Sequence, residues 1–287
     1  MMKYALFSGC KSSFYLPQYR TSAKAVLSSF GIELKELEFN CCGYPVRNES
    51  FASFLILAAK NLAIAEQQGL PILTLCKCCF GALKHADHYL KNDPHKKEMI
   101  VNLLKEEGLS FNGTTKIHHI LTVLAMDIGY SAIEKQIRKK FSGLKIAPHY
   151  GCHALRPSNI TQFDVPLAPT IFEKIIRLTG AEPVDWSKRL ECCGNPLWEK
   201  NNQLSLDILQ QKIDSARQAS ANMICTACNY CQFQFDEIQK NSLEQASAEQ
   251  FPSILISQLL GLSMGLSEKE LNIEANHIDL SEIRNFL

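Results

Sequence analysis

The chain has 287 residues, 46% hydrophobic and 21% charged, enough for one large domain or two ordinary ones whose cores need no disulfides. Thirty basic side chains against twenty-nine acidic ones leave a formal charge of +1, which gives no ground for a nucleic-acid binder. The opening MMKYALFSGC lacks the features of a signal peptide, and the most apolar stretches, 51–65 and 253–266, are too short for a bilayer span, so a cytoplasmic protein with at most peripheral membrane contact through a partner is expected.

Read in order, the elements alternate. Tyr4–Ser8 is a short apolar run ending at Gly9. Thr21–Phe30 carries Ala23, Val26, Leu27 and Phe30 at helical spacing, and Gly31 stops it. Ile32–Phe39 alternates like a strand, Phe51–Gln68 is helical up to Gly69, and Pro71–Leu75 is a second buried strand. Residues 84–144 are helix-rich and include His118-His119. Five basic residues in Lys135–Lys145 form a solvated helix end or, alternatively, a docking patch for an acidic electron-transfer partner. The sequence then repeats itself: Ile146–His149, Ile171–Thr179, Ser205–Ala219 and Met223–Thr226 have the same alternation, and Pro252–Leu262 is an apolar helix that packs across the core or onto a partner. Such alternation predicts an α/β fold, with two pseudo-symmetric repeats, each a small mostly parallel sheet with crossover helices. Residues 1–143 are expected to form the first repeat with its linker, and 144–287 the second repeat with its tail.

Ten of the twelve cysteines carry the same duplication. The first set is Cys10, Cys41, Cys42, Cys76 and Cys79; the second is Cys152, Cys192, Cys193, Cys228 and Cys231. Each has a Cys-Cys-Gly triplet and a closing Cys-x-x-Cys, separated by 33 residues in one copy and 34 in the other. The longer offset at the later cysteines places an insertion in Arg156–Pro169. Cys10, Cys76, Cys152 and Cys228 fall just past strand ends, where α/β sheets bind ligands. With no export signal, so many cysteines point to metal or redox chemistry rather than disulfides.

A four-iron cubane takes four thiolates, and so does tetrahedral zinc, so five thiols per set overfill either. An enlarged or opened iron–sulfur cluster with a bridging thiolate accounts for the fifth; zinc held by four of each five is the alternative. Neighbouring side chains in an extended segment point apart. Using both adjacent cysteines on one centre therefore needs a tight turn, which Gly43 and Gly194 permit and Pro45 and Pro196 stiffen. Cys225 matches Leu73 in the repeat and reads as a core residue, and Cys78 stands where the second copy has Tyr230 and is left out of the ligand sets. His149 and His153 flank Cys152; either can donate to a cluster sulfur, pass a proton, or simply pack. Lys77, between two ligands, either offsets cluster charge or attracts an anionic substrate near an opening, as Lys11 also can, or is merely solvated. Nothing in the sequence names a catalytic acid, base or nucleophile.

The double motif, with Ala147-Pro-His-Tyr-Gly-Cys-His153, Leu155-Arg-Pro-Ser158, Thr179-Gly-Ala-Glu-Pro-Val-Asp185 and Glu191-Cys-Cys-Gly194 around it, resembles the cysteine-rich domain of the B-type subunit of heterodisulfide reductase. The E-type subunits of unusual succinate dehydrogenases and fumarate reductases are included in that resemblance. It implies two noncubane [4Fe-4S] clusters, one on each five-cysteine set. It also implies an oxidoreductase component that reduces a disulfide of the CoM-S-S-CoB type, one electron at a time, with no cysteine nucleophile. A ferredoxin-like iron–sulfur subunit and a flavoprotein subunit are the implied partners. The alternative is an electron-relay component, of the E type, in a membrane-associated succinate dehydrogenase or fumarate reductase that exchanges electrons with quinone. Cys76-Lys-Cys-Cys79 and Cys228-Asn-Tyr-Cys231 differ from the methanogen sequences between their cysteines.

Overall fold

A computed structural model describes residues 2–246 and 250–287. Two four-stranded sheets, all parallel, carry the chain. The first contains β1 (Lys3–Phe7), β2 (Glu33–Lys35), β3 (Ile72–Thr74) and β4 (Ile117–His119) in the order β2-β1-β3-β4. The second contains β5 (Lys145–His149), β6 (Glu182–Pro183), β7 (Met223–Thr226) and β8 (Ser253–Leu255) in the matching order β6-β5-β7-β8. Equivalent registers repeat too: Ala5 pairs with Ile72 in the first sheet, and Ala147 with Ile224 in the second. The expected α/β architecture with duplicated repeats is therefore present.

The inner strands are apolar because parallel sheets are covered on both faces. β3 and β7 are fully buried. β2 and β6 lie at the edges and are short. Pairing of β2 stops at Lys35, sooner than the alternation of Ile32–Phe39 suggests. Beyond it the chain leaves the sheet, and Phe39 turns in against Phe7, ring centroids 5.0 Å apart, on the way to the Cys-Cys loop. Pro183 in β6 is tolerated because an edge strand needs no donor on its open side.

Two strands depart from the sequence expectation. β4 lies inside the segment read as a helical linker, and β8 inside the apolar run read as one helix. Both pass directly into a helix, at Ile120 and Ile256, with no glycine or proline between to mark the change. His118 and His119 accordingly sit on a strand. The helix after each fourth strand then packs across the duplication: Ile256–Ser263 lies on Pro17–Ser29, where Ser22 and Ser257 hydroxyls meet at 2.7 Å, and the 120–136 segment lies on Ile171–Leu178.

The crossover helices start on side-chain caps. Ser50 accepts the backbone N–H of Ser53 at the start of Phe51–Gln67, and Asn201 accepts that of Leu204 at the start of Asn202–Gln218. These two helices are equivalent, and each holds its Cys-Cys-Gly loop from behind.

Candidate metal centres

The ends of β1, β3, β5 and β7 each deliver one cysteine. Cys10 follows β1 and opens the short helix Cys10–Phe14; Cys152 follows β5. Cys76 and Cys228 cap the helices Lys77–Asn92 and Asn229–Phe233, so the second cysteine of each Cys-x-x-Cys falls in a first helical turn, on the same side as the first.

The paired cysteines reach these strand ends through a matched turn. Gly43 and Gly194 take left-handed backbone angles, φ 80° and 91°, and lead into single 3-10 turns at Tyr44–Val46 and Asn195–Leu197. A Cβ on Gly43 would lie 2.8 Å from the Phe54 carbonyl oxygen, and one on Gly194 2.9 Å from that of Ser205. Both backbone angle and space therefore demand glycine. The loop before each pair is tied to the supporting helix. Asn61 accepts the Asn40 N–H at 2.8 Å and donates to the Cys41 carbonyl at 3.0 Å; at the equivalent position Lys212 donates to the Lys188 carbonyl at 2.6 Å.

The result is two continuous runs of sulfur. In the first, Cys10 hydrogen-bonds Cys41, then come Cys42, Cys79 and Cys76. In the second, Cys152 hydrogen-bonds Cys192, then come Cys193, Cys231 and Cys228. All ten sequence-predicted residues are thus brought together in the expected fives. The runs also touch, since Cys76 Sγ and Cys228 Sγ are 3.6 Å apart.

Neighbouring thiols hold Cys42 in the first run, and Cys192 and Cys228 in the second, far below the ordinary thiol value. Hydrogen bonds from Cys41 and Cys79 lower Cys42 to about 5, and hydrogen bonds from Cys152 and Cys193 lower Cys192 to about 2. The donors move the other way: the hydrogen bond to Cys192 raises Cys152, and that to Cys41 raises Cys10. Contacting thiols cannot all ionise, because like charges at this range repel. Bound cations remove that obstacle, and soft sulfur donors select iron–sulfur clusters or zinc. The donor chemistry therefore fits a cluster in each set. With the sulfurs in contact, the pocket lined by the second set has a volume of only about 10 Å³.

Three residues that the sequence leaves open find places here. Cys78 lies with Cys76 and Cys228, all three sulfurs within 4.8 Å of one another, and its sulfur is 3.7 Å from His153 Nδ1. Comparison with Tyr230 in the second copy sets Cys78 aside; its position one residue into a first helical turn is the signal that argues otherwise. His153 Nδ1 is 3.2 Å from Cys152 Sγ. His149 is fully buried within 4.8 Å of the sulfurs of Cys193 and Cys231, with no partner at either ring nitrogen. Cys225 is buried on β7, as a core residue should be.

Of the three alternatives for Lys77, solvation and a place at a substrate opening are corrected, and the one that offsets charge at the thiols stays open. Lys77 is fully buried, donates to the His149 carbonyl at 3.0 Å and faces the rings of Phe172 and Tyr150 at 5.0 and 5.3 Å. Burial pushes its ammonium pKa down, and the nearby Cys231 and Cys228 push back. Its counterpart Asn229 reaches the opposite way, donating to the Ser8 carbonyl at 2.7 Å. Lys11 does border a cleft, with its Nζ 4.0 Å from the Phe233 ring centroid.

That cleft, about 330 Å³, runs between the two Cys-Cys-Gly turns, with Tyr44–Glu49 on one side and Asn195–Lys200 on the other. Tyr230 and Pro196 line both the cleft and the pocket of the second set. Tyr44 stacks edge-on against His153 at 4.6 Å and Tyr230 at 5.6 Å, so an aromatic group stands between cleft and sulfur. A separate cleft of about 320 Å³ reaches the first set directly at Cys10 and Cys41.

The CCG cysteine-rich domain matches twice, at residues 4–84 and 146–236, each match covering one five-thiol set and stopping short of the fourth strand of its sheet. The chain belongs to the CCG cysteine-rich domain family. Relatives in that family are named as subunits of oxidoreductase complexes. The chain is 34% identical over 284 residues to the B-type subunit of the Ferredoxin/F(420)H(2)-dependent CoB-CoM heterodisulfide reductase of Methanosarcina acetivorans, covering 97% of this chain and 94% of that protein. It is also 34% identical over 285 residues to the 8-methylmenaquinol:fumarate reductase membrane anchor subunit of Wolinella succinogenes, covering 98% and 99%. A crystal structure of a hypothetical protein from Helicobacter pylori shares the fold, with a TM-score of 0.77 at 16% identity, over 97% of this chain and 52% of that one. The chain thus spans about half the length of that structure, and this CCG protein is similar to it in fold alone.

Proposed function

We propose that the chain is an iron–sulfur subunit of an oxidoreductase complex, carrying two noncubane [4Fe-4S] clusters, and that it reduces a small anionic disulfide at them. Cys10, Cys41, Cys42, Cys76 and Cys79 hold one cluster; Cys152, Cys192, Cys193, Cys228 and Cys231 hold the other. On this reading residues 1–143 and 144–287 are two halves with one cluster each. The observation that carries the proposal is the meeting of two five-thiol runs at Cys76 and Cys228, next to a cleft between the two Cys-Cys-Gly turns.

When bound, the clusters supply single electrons; a disulfide takes two, with two protons, to become two thiols. The chain's own groups do the rest. Lys11 and Arg47 line the cleft and suit an anionic ligand. Tyr44 and Tyr230 narrow the way to the sulfurs and exclude water. His153, half-buried with its Nδ1 on Cys152, is placed to hand a proton inward from the cleft side. Electrons come from an iron–sulfur or flavoprotein partner; the name of the Methanosarcina relative includes ferredoxin.

The relative from Wolinella, equally similar, favours a second reading: an electron relay in a complex that turns over quinone. No helix among the described residues is long and apolar enough to cross a membrane. On the relay reading, partner subunits attach the chain to the membrane, and the cytoplasmic side is the proposed location on either reading. The test is turnover by the purified complex. Release of two thiols per two electrons, weakened by Lys11→Ala through a raised KM, supports disulfide reduction. Quinone turnover with no thiol released at any disulfide concentration leaves the relay.

A further inference from the structure

The two thiol sets do not have the same surroundings. Beside Cys193 and Cys231 lies His149, fully buried, with both ring nitrogens unpartnered. A neutral imidazole has one N–H donor and one acceptor, and a buried donor without an acceptor is costly. A Cβ on Gly151 would lie 3.5 Å from Cys231 Sγ and 3.6 Å from His149 Nε2, so ring nitrogen and sulfur flank one spot. At the equivalent place in the first repeat stands Phe7, which can donate nothing.

Two lysines point the same way. Lys77 and Lys212 are both fully buried, and both interact electrostatically with thiols of the second set, Cys231 and Cys228 for one and Cys193 and Cys231 for the other. At the positions equivalent to Lys212 and Lys77, the chain has Asn61 and Asn229. Hydrogen bonds to cluster sulfurs and nearby positive charge both favour the reduced, more negative state of an iron–sulfur centre.

We propose that His149 donates a ring N–H to a sulfur of the second centre and, with the ammonium groups of Lys77 and Lys212, makes that centre the more easily reduced of the two. Electrons shared between the centres then rest on the Cys152–Cys231 set. This rests on the cluster reading above, and the experiment separates the two.

The experiment is a redox titration of the anaerobically purified full-length chain, followed by electron paramagnetic resonance, with pulsed measurements on protein labelled with nitrogen-15 histidine. Two midpoint potentials are expected. His149→Phe, which copies Phe7, should lower the upper one, leave the lower one in place, and remove a weak histidine-nitrogen coupling that His153→Asn retains. Should His149→Phe fold poorly, the labelled wild-type and His153→Asn proteins still decide: a weak coupling present in both supports the hydrogen bond. Absence of histidine coupling in an intact two-centre protein overturns the proposal, as does a strong coupling of the kind a bound nitrogen gives. So does a fall in the lower potential on replacing His149. A chain that holds zinc without sulfide overturns the cluster reading itself, which iron and sulfide content reports independently of any potential.

Discussion

Position for position, Phe7 in the first repeat corresponds to His149 in the second, Asn61 to Lys212, Lys77 to Asn229 and Cys78 to Tyr230. The strands around them share their order and the glycine turns share their geometry. The duplication has therefore preserved what makes a five-thiol site: strand ends, a left-handed glycine and a supporting helix. It has not preserved the polar residues behind the thiols. The first set is exposed at Cys10, whereas the second, half-buried at Cys152 and Cys192, has the buried cations Lys77 and Lys212 near its thiols and Tyr230 and Pro196 in its pocket wall. One frame thus carries two five-thiol sites whose chemistry can differ.

The largest effects should come from breaking one run of sulfur while leaving its copy. Cys193→Ser removes the middle of the second run, and Cys42→Ser does the same in the first. Each should cost about half of the iron, read by metal analysis, with one paramagnetic signal lost and the other kept. Because Cys76 and Cys228 touch, Cys228→Ser and Cys76→Ser should disturb both signals, and equal loss from all four variants would show that the sets do not act separately.

Next come the glycines. Gly43→Ala and Gly194→Ala should each destabilise the protein by at least about 1–2 kcal/mol, the cost of left-handed backbone for a residue with a Cβ, before the clash with Phe54 or Ser205 is added. Calorimetric melting checks this. If the two repeats are equivalent in backbone, the losses should be similar; a large inequality would show that one loop relaxes and the other does not.

An effect confined to acid pH separates the fourth strands. His119, on β4, is fully buried; its Nε2 donates to the Ala227 carbonyl at 3.0 Å and its Nδ1 accepts the Leu121 N–H at 3.3 Å. Burial, helped by Lys77, lowers its pKa to about 3. Below the ordinary histidine value the unfolded chain takes up a proton that the folded chain refuses. Stability should therefore fall as pH drops from about 6.5 towards 3, by on the order of 1 kcal/mol per unit from this residue. Denaturant titrations across that range should show the slope, and His119→Gln should flatten it. The second repeat has no histidine on β8 to do the same.

The smallest effect is expected at Cys225. Cys225→Ala should keep both centres and cost about 1–2 kcal/mol of packing; loss of iron would show that β7, not the helix after it, supplies the ligand. Cys78→Ala is the sharper partner experiment, because Cys78 touches Cys76 and Cys228 and a change in either signal would give it a part in the centres.

Much of the fold and the site is legible in the sequence. A repeated five-cysteine spacing fixes which thiols must converge, and Gly43 and Gly194 announce the turn that brings adjacent cysteines to one place. The features that stay hidden have physical causes. β4 and β8 are three residues long and run into helices without a breaking residue, so their apolar patterns merge with those of the helices. Lys77 keeps three alternatives in the sequence because a lysine between ligands has no sequence mark of burial; only β5, bringing the His149 carbonyl and the Tyr150 ring, and the helix Ile171–Leu178, bringing the Phe172 ring, enclose it. Cys78 is discounted by comparison with Tyr230, a comparison that holds only where the two repeats are alike. Lys212 and His149 give no signal as a pair, since they are far apart in sequence and meet only around the second set.

The central claim is that each five-thiol set holds its own iron–sulfur centre. Iron, acid-labile sulfide and zinc measured together on anaerobically purified protein test it most directly. About eight irons and eight sulfides per chain are expected for two four-iron clusters. Two zinc ions per chain with no sulfide would contradict it.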